Sequence, residues 1–217
     1  MAATQQAFLF DMNGTIIDDM PFHITAWHDI LNNLGATISM EETKLQCYGK
    51  NEELLERIFP GRFTEEEMKT MVMEKETTYQ RVFKPHLKLI DGLGEFLEQA
   101  YAANIKMAIG SAAIPINIDY VLNGLDLQKY FAALVSAYDV AESKPHPETF
   151  LLCAEKLQVS PENCIVFEDS PKGVEAAARA GMKAVVITTM HTKEEFDQDN
   201  IICCIDHYHG LFNQLVK

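Results

Sequence analysis

The stretch Ala7-Phe8-Leu9-Phe10-Asp11-Met12-Asn13-Gly14-Thr15 constrains this chain more than any other. A short apolar run with no polar face stops abruptly at a carboxylate, and a small turn carrying Gly14 and Thr15 follows. A strand apolar on both faces belongs inside a parallel sheet. Open sheets of that kind bind ligands at the C-terminal ends of their strands. An Asp at such an edge can attack phosphorus or bind Mg²⁺. Alternatively it merely caps the following helix, so the rest of the chain has to decide.

After the turn, Asp18 and Asp19 lead into a helix whose apolar residues Phe22, Ala26, Trp27, Ile30, Leu31 and Leu34 recur at helical spacing. A second, acidic helix is predicted from about Met40 to Cys47, a third around Leu54, Leu55, Ile58 and Phe59, and a longer one opened by the capping-box pattern Thr64-Glu65-Glu66-Glu67. Residues 19–84 contain no convincing strand and are predicted to form a helical cap domain. Beyond Asp91-Gly92 the pattern alternates. Strands are expected at Lys106–Gly110, Ala133–Ala137, Cys164–Phe167, Ala184–Ile187 and Ile201–Ile205, with Ser111, Asp139, Glu168-Asp169, Thr188 and Asp206 at their ends. Ser170 can cap a helix with Pro171 at its first position and Gly181 past its end. The predicted fold is α/β: a Rossmann-like, doubly wound parallel sheet in three layers, formed by residues 1–18 and 85–217 and interrupted by the cap.

The balance of 18 basic against 32 acidic residues gives a formal charge of -14. That opposes binding to nucleic acid or to an anionic membrane surface. No segment has the length of a transmembrane helix, and the N-terminus lacks a basic, apolar leader; a cytoplasmic protein, monomeric, is the expectation. Five cysteines without a CxxC pair read as reduced thiols.

Taken together, the strand ends supply the parts of a phosphoryl-transfer site. Asp11 would be the nucleophile. Asp169, with Glu168 beside it and the main-chain carbonyl of Asn13, would complete an oxygen shell for Mg²⁺. Ser111, followed by Ala112 at the expected start of a helix, would donate hydrogen bonds to phosphate together with helix N-terminal amides. Lys144, within Ser143-Lys144-Pro145-His146-Pro147, would set a positive charge against the phosphate and Asp11.

The set Phe10-Asp11-x-x-Gly14-Thr15, Ser111, Lys144-Pro145 and Phe167-Glu168-Asp169-Ser170-x-x-Gly173 resembles, in order and spacing, the four motifs of the haloacid dehalogenase superfamily. His23 and Trp27, in the pattern His-x-x-x-Trp, resemble the β-phosphoglucomutase-like subgroup. The resemblance implies a Mg²⁺-dependent core-plus-cap enzyme that forms an aspartyl-phosphate and acts on a small phosphorylated metabolite such as a sugar phosphate. It also implies that Gly14, Thr15, His23 and the cap-loop Lys50 contribute to substrate or phosphate binding.

One position departs from the family. The residue two after the nucleophile is normally a second Asp that protonates the leaving group, and here it is Asn13. General acid–base help is worth about 10²–10⁴-fold, so sugar phosphates should suffer and activated phosphates should not. The expected activity is a phosphatase. β-Phosphoglucomutase is the alternative, weakened because Ile114 and Pro115 stand where polar phosphate binders would be expected. A pyrophosphatase, or a phosphate-ligand-binding protein impaired in turnover by Asn13, also remain. Asp19 is a candidate substitute acid, although a carboxylate in that place is more often a helix cap, and His23 is either substrate-facing or structural.

Overall fold

The computed structural model describes residues 6–216. The chain divides into two compact units, one formed by the chain up to Asp18 together with the chain from Lys88, the other by Asp19–Leu87.

Strand β1 (Ala7–Phe10) is fully buried at all four positions, as a run with no polar face requires. The chain then enters the helical unit, α1 (Met20–Asn33), α2 (Met40–Gln46), α3 (Asn51–Ile58) and α4 (Glu65–Phe83). The α2 and α4 N-termini carry full capping boxes, Ser39 with Glu42 and Thr64 with Glu67. Helix α1 buries Ile24, Trp27 and Leu31. Helix α4 buries Val72, Lys75, Glu76, Tyr79 and Phe83. These positions lie on one face at helical spacing, but two of the five are charged.

The other unit holds β2 (Lys106–Gly110), β3 (Ala133–Val135), β4 (Cys164–Glu168), β5 (Lys183–Ile187) and β6 (Ile201–Ile205). Its helices are α5 (Leu93–Ala102), α6 (Pro115–Gly124), α7 (Glu148–Leu157), α8 (Pro171–Arg179) and α9 (Phe212–Leu215). The sheet has the order β3-β2-β1-β4-β5-β6 and every pairing is parallel, the doubly wound α/β arrangement the alternation predicts. Because side chains alternate across a strand, β1 sends Phe8 and Phe10 to one face and Ala7 and Leu9 to the other. Phe10 stacks on Phe167 at 4.4 Å, and Phe8 meets Phe167 edge-on at 5.4 Å. Phe96 and Tyr208 close that aromatic layer. On the opposite face, Leu9, Ala108, Val166 and Val186 pack with Phe150, Cys153, Val174 and Ala177. Each buried Phe contributes on the order of 1.5–3 kcal/mol of transfer free energy.

β3 ends two residues earlier than its apolar run suggests. Ser136 turns the chain instead, its N–H and hydroxyl donating to Asp139 Oδ2 at 2.8 and 2.6 Å, while Ala137 N–H donates to Ala113 O. Among the described residues no helix is long and apolar enough to cross a membrane, and all five cysteines are free thiols.

Candidate active site

β1 and β4 are neighbours at the centre of the sheet, with Phe10 in register with Phe167. The residues that follow in each strand, Asp11 and Glu168-Asp169, therefore arrive side by side at the C-terminal edge, although 157 positions separate Asp11 from Glu168. All three carboxylates are buried, at 7, 1 and 5 % exposure. Lys144, on the loop between β3 and α7, joins them. Its Nζ donates to Asp11 Oδ1 at 2.7 Å, Glu168 Oε1 at 2.7 Å and Gly110 O at 3.0 Å. Three donors meet three acceptors, which leaves the ammonium fully committed.

Glu168 is saturated on its other side. Its Oε2 accepts from Asp169 N, Ser170 N and Ser170 Oγ, each at 2.9 Å. Expected from sequence as a metal ligand, Glu168 instead spends both oxygens on protein donors, and so holds Lys144 beside Asp11. Ser170 Oγ also accepts from Gly173 N at 3.1 Å, the N-cap bond that Ser170-Pro171 predicts.

Two glycines make these approaches possible. A Cβ on Gly14 would lie 2.0 Å from Asp169 Oδ2, and one on Gly173 would lie 1.8 Å from Glu168 Oε1. Gly14 also has φ +74°, in the left-handed region that side chains avoid.

Three carboxylates around one ammonium leave a deficit of positive charge. Burial, opposed by Lys144 and reinforced by Glu168, raises the Asp11 pKa from 3.8 to about 7. Burial, with the charges of Glu168 and Asp11, pushes Asp169 well above the ordinary carboxylate value. Burial works against the charge of Lys144, yet Asp11 and Glu168 outweigh it and hold the ammonium above its ordinary pKa. Among the described residues no three His, Cys, Asp or Glu side chains form a metal-binding group. Asp11 and Asp169 are the two further carboxylates buried at this edge, and both are hard oxygen donors. The donor set fits Mg²⁺.

Ser111, 2 % exposed, follows β2. Its N–H donates to Val135 O at 3.0 Å and its Oγ accepts from Ala113 N at 3.2 Å. Helix α6 begins only at Pro115, so Ser111 does not stand at a helix N-terminus as the sequence suggests. Ala112 is half-buried, and Ile114, the α6 N-cap, is 1 % exposed, which leaves no polar side chain between Ala112 and Pro115. Asn13 is half-buried and bridges to Ile17. Gly14 N–H donates to Ile17 O at 2.7 Å, and Thr15 is fully buried.

In the helical unit His23 is 8 % exposed, with Nδ1 2.7 Å from Lys75 Nζ and Nε2 3.2 Å from Asp19 Oδ2. It stacks on Tyr79 at 3.9 Å. Lys75 can only donate, so Nδ1 accepts and Nε2–H donates to Asp19. Asp19 makes no side-chain cap to α1; its buried carboxylate accepts from the Tyr79 hydroxyl instead. Lys75 also donates to Glu76 Oε1 at 2.8 Å, and Asn51 joins Glu76 at 2.8 Å. Lys50 caps α3, its N–H donating to Glu53 Oε2 at 3.1 Å. The network of Lys75, Glu76 and Tyr79 went unforeseen in the sequence; its signal was two charged residues lying on the apolar stripe of α4.

The model of the haloacid dehalogenase-like hydrolase family matches residues 8–187. The chain belongs to that family. The phosphorylated carbohydrates phosphatase of Thermotoga maritima is 33 % identical over 184 residues, covering 83 % of each chain. The β-phosphoglucomutase of Bacillus subtilis is 32 % identical over 187 residues, covering 83 % of this chain and 82 % of the relative. Among solved structures, β-phosphoglucomutase of Clostridium difficile superposes with a TM-score of 0.82 at 29 % identity, covering 98 and 93 % of the two chains. Within the haloacid dehalogenase-like hydrolases the chain therefore stands with the β-phosphoglucomutase-like enzymes.

Proposed function

We propose that this hydrolase is a Mg²⁺-dependent phosphatase of small phosphorylated metabolites, working through an aspartyl-phosphate on Asp11. The observation that carries the reading is Lys144 bridging Asp11 and Glu168 in a buried site whose carboxylates exceed its cations. Asp11, Asp169 and the main-chain carbonyl of Asn13 would hold Mg²⁺, which supplies charge neutralisation at the transferring phosphoryl oxygens. The Asp11 oxygen that Lys144 does not hold would attack phosphorus while the bond from phosphorus to the leaving oxygen breaks. Lys144 keeps the other Asp11 oxygen fixed, and the Ser111 hydroxyl donates to the phosphoryl group. Water then attacks the phosphorus of the aspartyl-phosphate, releasing phosphate and restoring the carboxylate. The helical unit would contribute substrate selectivity, with Lys50 and His23 its candidate binding residues.

Asn13 shapes which phosphates react. An amide cannot hand a proton to a sugar alkoxide, whereas pyrophosphate, acyl phosphates and aryl phosphates leave without one. The mutase reading is disfavoured because it needs that proton transfer in both half-reactions, and because the buried Ile114 offers nothing to a second phosphate.

The test is phosphate release with Mg²⁺ from sugar phosphates, pyrophosphate and an aryl phosphate, for the protein, Asn13→Asp and Asp11→Asn. Asn13→Asp should gain about 10²–10⁴-fold on sugar phosphates and little on the aryl phosphate, and Asp11→Asn should release none. Equal rates for the protein and Asp11→Asn would overturn the proposal.

A further inference from the structure

The loop that presents Asp11 is held from outside by two hydroxyls that belong to none of the four motifs. Thr189 Oγ1, two residues past β5, donates to Gly14 O at 2.6 Å. Tyr208 OH, three residues past β6, donates to Thr15 O at 3.0 Å, from a side chain only 1 % exposed. The contacts span 175 and 193 residues, and they cap consecutive carbonyls.

The loop needs such support. Inside it the Met12 carbonyl is shared by three N–H groups, those of Thr15 at 3.3 Å, Ile16 at 2.8 Å and Ile17 at 3.3 Å. Two of the three bonds are long. Gly14, with no Cβ, also has the greatest intrinsic backbone freedom in the turn. A peptide unit is planar and rigid, so anchoring its oxygen sets the whole plane. Thr189 therefore sets the Gly14–Thr15 plane and Tyr208 the Thr15–Ile16 plane. The Gly14–Ile17 bond and the Asn13–Ile17 bridge carry that constraint back to Asn13 and Asp11. Tyr208 is itself tied down, its N–H donating to Asp91 O at 2.8 Å and its ring lying against Phe96 and Phe167.

We infer that Thr189 and Tyr208 are positioning residues for the phosphoryl-transfer site, a pair of hydroxyl clamps that fix the Gly14 and Thr15 peptide planes so that Asp11 and the Asn13 carbonyl face the substrate in one geometry. Neither residue touches the reacting atoms. The inference rests on the phosphatase reading above.

The experiment compares Thr189→Val, Thr189→Ser and Tyr208→Phe in the full chain. It reads hydrogen–deuterium exchange of the peptide spanning residues 11–17, and kcat and KM for an aryl phosphate with Mg²⁺. The near-isosteric Val and Phe variants should exchange faster in that peptide alone and lose about 10–100-fold in kcat at unchanged KM, and Ser should restore both. Unchanged exchange in Thr189→Val and Tyr208→Phe overturns the clamp whatever the activity does. Faster exchange at unchanged kcat overturns its catalytic role, as does a Ser variant no better than Val. If the protein and Asp11→Asn release phosphate alike, the phosphatase reading falls first and takes the catalytic role with it, and exchange alone then judges the clamp.

Discussion

Asp11 is a residue whose environment works against the charge its chemistry requires. Its folded pKa of about 7 lies above the ordinary 3.8, so the folded protein binds a proton that the unfolded chain releases. Stability from this group is therefore full below about pH 4 and lost progressively as pH rises towards 7. Asp11→Asn removes the titration. In the metal-free protein the variant should melt higher than the parent at pH 7.5 and at nearly the same temperature at pH 4. Mg²⁺ should narrow the gap at pH 7.5 by neutralising the carboxylates of the parent. A difference between the two that does not change with pH would contradict the buried, cation-deficient account.

At the scale of elements, the junction between the end of β4 and the start of α8 carries more than its length suggests. Ser170 caps the helix and also donates to Glu168, so that a helix N-terminus and the support of Lys144 share one hydroxyl. Gly173 lies where its missing Cβ makes room for that carboxylate. Gly173→Ala should force Glu168 off Lys144, destabilising the protein by about 1–3 kcal/mol as overpacking does. It should also cost more activity than the loss of stability explains. Denaturant unfolding beside phosphate release checks this, and a variant of normal activity would show that Glu168 does not govern Lys144. In the helical unit, α1 and α4 are joined through Asp19, His23, Lys75 and Tyr79 rather than through an unbroken apolar seam. A buried arrangement of that kind tolerates few substitutions, because losing one partner strands the charge of the other.

For the molecule as a whole, the formal charge of -14 sets a field that repels a phosphorylated substrate. Raising ionic strength from about 10 to 150 mM shortens the screening length from roughly 30 to 8 Å. At constant Mg²⁺, kcat/KM for a sugar phosphate should then rise a few-fold, while that for an equally sized uncharged inhibitor's binding constant should stay level. A fall in kcat/KM would mean that local cations, rather than the overall field, govern encounter.

Much of this was legible in the sequence because the signals were local. Apolar runs of strand length ending in polar residues announced a parallel sheet, and the order in which Asp11, Ser111, Lys144 and Glu168-Asp169 follow those runs announced which edge carries the chemistry. The capping box at Thr64 and the start of α8 at Ser170-Pro171 depend on residues three apart, and they form from that proximity alone. Tertiary packing decided the rest. That Glu168 meets Lys144, whether Asp19 caps a helix or receives Tyr79, and which hydroxyls reach the Gly14 and Thr15 carbonyls are settled by contacts between residues far apart in the chain. A buried polar atom takes whichever partner the packing delivers, and a sequence motif records only the partners that its own neighbourhood supplies.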